Sequence, residues 1–206
     1  DKINLVARPF AENVGLPTLH WMVTDKTGKA IVIEKTKEGF KVYENKVGVM
    51  TNAPSFDWHI TNLRQYMNAT PVQPTSANWS DLELTPLGSA TGGIGLPGDF
   101  SSPSRFVRVA FLRAQILMED IENDGIIEFF HILNNVAMVK GSVITKDGKD
   151  EITQYSSCMN LEKGLYYYKS YNNNQINMVD MHKEDLDSSE MKIFPYNDIQ
   201  VVNILN

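Results

Sequence analysis

The chain has 206 residues, 42% apolar and 21% charged, a balance that supports a packed core and excludes collagen-like, coiled-coil and disordered classes. A net charge of −6 with scattered basic residues leaves no positive stripe for phosphates, so a nucleic-acid partner is excluded. One cysteine rules out an internal disulfide framework, and apolar runs such as Ala30–Ile33 fall far short of the roughly 20 residues that span a bilayer, so no membrane partner is expected.

In chain order, residues 1–18 contain no charged segment followed by an apolar core, so no signal peptide is expected within them. The start at Asp1 without Met leaves room for an upstream signal or domain. Leu19–Asn52 reads as a β-meander, its apolar runs separated by the hairpin-turn signals Asp25-Lys26-Thr27-Gly28 and Lys37-Glu38-Gly39. Ala30–Ile33 is its most buried strand. A last apolar strand through Gly48–Met50 stops at Thr51-Asn52 and is broken by Pro54.

A helix is expected from Ser55 to about Met67, with Phe56, His59/Ile60, Leu63 and Met67 three to four apart. Residues 68–98 are expected to form a long irregular excursion, since Pro71, Pro74, Pro86 and Pro97 and five glycines crowd it. Loops of that length inside one domain are usually functional or engaged in assembly. Two helices follow, Pro103 to about Asp120 with Ser102 as N-cap, and Gly125–Asn135 with Ile126, Phe129/Phe130 and Leu133 inward. The chain then returns to strands through Val143–Asn160, Gly164–Tyr171 and Gln175–Met181, split by Asp147-Gly148, Lys163-Gly164 and Asn172–Asn174. Strands, then helices, then strands predicts a single α+β domain over residues 1–206.

Gly93-Ile94-Gly95-Leu96-Pro97-Gly98 spells the dinucleotide-loop pattern G-x-G-x-x-G, but its context fails. No buried strand leads into it, and Pro97 removes a backbone N–H where a phosphate would need one. The run instead leads to a helix start that carries Arg105 in its first turn. A cation there is either a solvated surface charge or, added to the helix dipole, part of an anion-favouring site. Asn52, at a strand end before a sharp turn, is either a turn cap or a site residue. His20, His59, His131 and His182 lack zinc-ligand spacing, so no metal is expected, and Cys158 reads as a small buried residue in a mid-sheet strand.

Four blocks, Leu19–Leu63, Gly92–Val109, Phe129–Val143 and Ile152–Ile176, resemble the penicillin V acylase and choloylglycine (bile salt) hydrolase family of N-terminal-nucleophile cysteine amidases. The likeness runs from end to end of the chain, in order. It implies an αββα four-layer sandwich, a bacterial and cytoplasmic homotetramer, and no cofactor. It also implies a cysteine at a processed N-terminus as nucleophile, a thioester intermediate and an oxyanion hole. The family's asparagine in its T-N-x-P turn corresponds to Asn52, and its active-site arginine in S-R-F-V-R to Arg105.

The segment "DKINLVARPF" carries neither the cysteine nor the family's early R-x-x-D. The resemblance therefore makes these residues the C-terminal portion of the enzyme, inactive alone, with the nucleophile and an N-terminal part outside this chain as partners beside a small amide substrate. Residues such as those in Thr51–Leu63 and Leu82–Gly88 favour penicillin V as substrate. Conjugated bile salts are the alternative, and a noncatalytic binding or assembly domain is the reading from another class.

Overall fold

The apolar run Ala30–Ile33 sets the centre of the first sheet. In the computed structural model, which describes residues 6, 8, 9, 11, 12, 15, 19–119 and 124–206, it lies in β2 (Ala30–Thr36). This strand pairs antiparallel with β1 (His20–Thr24) on one side and β3 (Gly39–Glu44) on the other. Both turns expected from sequence are present, with Gly28 and Gly39 at positive φ. Within the segment Asp1–Phe10, which lacks the family's cysteine, residues 1–5, 7 and 10 lie outside the described residues.

One face of β2 supplies Val32 to a core completed by Val49, Phe56, Phe106 and Ala110. The expected strand through Gly48–Met50 does not pair; Gly48 turns through positive φ, and Asn45 holds the run instead. The Asn45 side chain accepts from Gly48 N at 2.8 Å and donates to Val49 O at 3.1 Å.

Helix α1 spans Phe56–Asn62 and continues only as a 3₁₀ turn, Leu63–Tyr66, rather than as α-helix to Met67. Tightening of a last turn is a common way to satisfy helix-end carbonyls before the chain departs. Its start is unusual. Ser55, the N-cap, donates to Asp57 Oδ1 and caps nothing, while both oxygens of buried Glu34 receive Phe56 N–H, at 3.0 and 3.1 Å. A carboxylate on the central strand thus pins the helix to the sheet.

The excursion is less irregular than expected, because it contains a short hairpin, β4 (Ala77–Trp79) with β5 (Leu82–Leu84), and a 3₁₀ turn at Thr91–Gly93. Its neck closes where Thr70 N donates to Gly92 O at 3.1 Å. A Cβ on Gly92 would lie 2.2 Å from Val72 O, so only glycine fits that approach.

Helix α2 covers Ser102–Gln115, with Ser101 rather than Ser102 as N-cap, and it stops short of Asp120, which lies outside the described residues. Helix α3 covers Asp124–Asn134. It buries Phe130 but leaves Phe129 37% exposed, so only one of the two adjacent phenylalanines faces inward. The second sheet is β6 (Tyr155–Asn160), β7 (Leu165–Ser170) and β8 (Asn177–Asp180), all antiparallel. Cys158 is on β6, an edge strand of this sheet and not a middle one. The upstream text around Asp147-Gly148 forms only an isolated bridge, Ile144 to Asp150. Mixed helix and sheet, in the expected order, is the architecture.

Removing the Glu34 acceptor leaves a buried amide unpaired. Glu34→Ala should therefore cost about 1–3 kcal/mol in urea unfolding of the intact protein. Glu34→Gln, which keeps an acceptor, should cost clearly less; equal losses would remove the pinning role.

Candidate active site

Two segments distant in sequence meet beside the core. The first is the turn Thr51–Pro54, which leaves the core at Val49 and precedes α1. The second is the start of α2. Phe106, Val107 and Ala110 are buried, which fixes the rotation of this helix and sets Arg105 on the side of the turn. Arg105 Nη2 donates to Asn52 Oδ1 at 2.7 Å, and its Nε donates to Phe100 O at 3.0 Å. Both residues singled out from sequence are therefore in one place.

The helix start is anchored from below by Asp99. Its carboxylate accepts from Ser101 N at 2.8 Å and from the Ser104 hydroxyl at 2.5 Å. Hydrogen bonds from Ser101 and Ser104 hold its pKa far below the ordinary carboxylate range. Arg108 donates to Pro97 O and Asp99 O, at 2.9 and 2.7 Å, and so ties down the end of the glycine run. That run is a structural lead-in to Arg105.

The turn is held by residues that carried no functional signal in the sequence. Thr51 Oγ1 donates to Ser102 O at 3.2 Å and lies 3.0 Å from the Ser102 hydroxyl that donates to it. His59 Nε2 lies 2.9 Å from Asn52 O. The His59 ring stacks on Phe106 with centroids 4.6 Å apart and 12° between planes. In the sequence His59 was one member of an apolar helical spacing, and only the fold brings it under Asn52.

Chemically, the pair offers a fixed cation beside N–H donors. Burial pulls the Arg105 pKa below its ordinary value, with Glu151 acting the other way and Arg108 adding to the decrease. A guanidinium remains charged regardless. With Oδ1 of Asn52 accepting from it, the Asn52 amide retains two Nδ2 protons to donate. Positive charge and oriented N–H groups suit an oxyanion or a thiolate. Cys158 is half-buried, and burial pushes its thiol pKa up, the opposite of an activated nucleophile. Among the described residues no group of three or more His, Cys, Asp or Glu converges as a metal site.

Comparison with known proteins decides the family. The description "Linear amide C-N hydrolases, choloylglycine hydrolase family" matches residues 1–194. The chain belongs to the choloylglycine hydrolase family. It is 53% identical over 203 residues to a bile salt hydrolase/transferase of Clostridium perfringens, covering 98% of this chain and 62% of that protein. It is 45% identical over 195 residues to a bile salt hydrolase/transferase of Lactiplantibacillus plantarum, covering 95% of this chain and 60% of that protein.

A crystal structure of a mutant conjugated bile acid hydrolase from Clostridium perfringens superposes with a TM-score of 0.89 over 98% of this chain and 62% of the other. A penicillin V acylase from Agrobacterium tumefaciens, 22% identical, has a TM-score of 0.64 over 86% of this chain and 50% of its own. That last likeness is one of fold alone. The high identities lie with proteins named bile salt hydrolases, the alternative drawn from the sequence, rather than with a penicillin V acylase. The chain spans about three fifths of the length of these curated relatives. Among the described residues no helix is long and apolar enough to cross a membrane.

The lowered Asp99 pKa has a testable sign. Ionised Asp99 contributes stability that is complete above the ordinary value of 3.8 and is lost as pH falls through the lowered one. Ser104→Ala removes one of the hydrogen bonds responsible, so NMR titration of the Asp99 carboxyl should move upward toward 3.8. An unmoved titration would show that the Ser104 bond does not set it.

Proposed function

We propose that these residues form the C-terminal part of a conjugated bile salt hydrolase whose cysteine nucleophile lies outside the 206 residues. The observation that carries this reading is 53% identity across 98% of the chain to a protein named bile salt hydrolase/transferase. Membership of a linear amide C–N hydrolase family supports the reaction type.

In this reading the thiolate adds to the amide carbonyl, and the carbon–nitrogen bond then breaks as the leaving amine takes a proton. The resulting thioester is hydrolysed by water. Asn52 donates toward the oxyanion, and Arg105 keeps positive charge beside the thiolate. Their 2.7 Å contact supports shared duty in one site. The chain alone is inactive.

The same reading makes residues 1–206 one domain within an αββα sandwich. Supporting it, the second face of the first sheet carries Trp21, Val23, Phe40 and Val42, all exposed and apolar, as a sheet awaiting another layer would be. The assembly is a homotetramer held partly by the excursion, where Trp79 is 73% exposed and Leu82 and Leu87 are exposed beside it in sequence.

Full-length protein should hydrolyse glycocholate at least about tenfold faster, in kcat/KM, than penicillin V; the reverse order would overturn the substrate class. Arg105→Ala should lower kcat/KM by about 100-fold or more with little change in Tm, and near-normal turnover would remove Arg105 from the site. Trp79→Asp with Leu82→Asp should reduce the oligomeric mass seen by light scattering. An unchanged mass would clear the excursion of any assembly role.

A further inference from the structure

Beneath the site built from Asn52 and Arg105 lies a buried polar side chain with one unpartnered nitrogen. His59, near the middle of α1, is 1% exposed. Its Nε2 is 2.9 Å from Asn52 O and 3.4 Å from Thr51 Oγ1. A carbonyl oxygen only accepts, so the proton of the ring is on Nε2. Nδ1 is buried and meets no hydrogen-bond partner. A leucine would fill this space without an orphaned nitrogen, so packing stability does not account for a histidine here. Holding Asn52 does.

The ring is itself held rigidly. Its face lies on Phe106, the residue after Arg105, and Trp58 meets it edge-on at 5.6 Å and 85°. One imidazole therefore touches the backbone of Asn52 and the side chain next to Arg105. The Thr51–Ser102 hydroxyl pair fixes the residue before Asn52, whereas the bond from His59 fixes the Asn52 carbonyl itself.

We propose that His59 is a positioning residue for amide hydrolysis, its Nε2–H holding the Asn52 carbonyl so that the Asn52 side chain meets Arg105. This rests on the bile salt hydrolase reading for its effect on rate, though not for its effect on geometry. Displacement of a site group by about 1 Å can cost on the order of 100-fold in rate. His59 touches no reacting atom, so substrate binding should change little.

The test uses the full-length protein with His59→Leu, which keeps volume and removes the donor, and His59→Gln, whose amide can reach the same carbonyl. The Leu variant should lose about 10- to 100-fold in kcat on glycocholate with KM within about threefold, and Gln should recover most of the loss. Equal kcat in the two variants, or a change confined to KM, would overturn the proposal. If the Leu variant does not fold, His59→Asn, too short to reach the carbonyl, replaces it. A crystal structure gives the second readout: without the donor, Asn52 Oδ1 and Arg105 Nη2 should separate beyond hydrogen-bond distance. A retained 2.7 Å contact would overturn the proposal whatever the activity. Wild-type protein inert toward conjugated bile salts would sink the functional reading, and the crystal readout would still decide the role of His59.

Discussion

The stacked rings of His59 and Phe106 are where α1, α2 and the turn Thr51–Pro54 ahead of α1 meet. Phe106 is fully buried against Phe56, so the stack is continuous with the hydrophobic core. Through it the rotation of α2 is tied to the position of α1, and α1 in turn is tied to β2 by Glu34. Asn52 and Arg105 are exposed or half-buried, yet each is one bond away from groups that cannot move without disturbing the core. Catalytic constellations need that kind of support, because tolerance in their geometry is a fraction of an ångström.

The core that provides this support is small and contains more polar groups than its size suggests. Glu34, Asn45, His59, Asn62 and Ser104 are all buried. Three of them bond to backbone at a bend or helix start: Glu34 to Phe56, Asn45 to Gly48 and Val49, and His59 to Asn52, while the Ser104 hydroxyl donates to Asp99 just ahead of α2. Backbone that is neither helix nor strand must find such partners when it is buried. These side chains therefore hold irregular segments in place where ladders do not reach. The unpaired run Gly48–Met50 is the clearest case: Asn45 bonds it where a neighbouring strand otherwise would.

Family membership and the site rest on different kinds of observation. Identity across nearly the whole chain marks the family, and about three fifths of the length of each of these relatives is matched. The contact between Asn52 and Arg105 depends on neither. It follows from two helices packed on one sheet, and it explains physically why a cation stands in the first turn of α2, where it opposes the helix dipole. Burial of that guanidinium and its bond to an asparagine are the compensation.

Much of the local structure was legible in the residues. Gly28 and Gly39 marked the hairpins of the first sheet, Ala30–Ile33 its central strand, and Pro103 the start of α2. These are short-range effects, governed by φ preferences and by alternation of apolar side chains. Resemblance added Asn52 and Arg105, which spacing alone left open between surface and site. What the residues did not disclose was long-range: that Glu34 caps α1 from another element, that Gly92 closes the neck of the excursion against Thr70 and Val72, and that His59 lies under Asn52. Each depends on how separate elements pack, and a side chain that is apolar in its spacing but polar in its chemistry reveals its partner only after packing has chosen one.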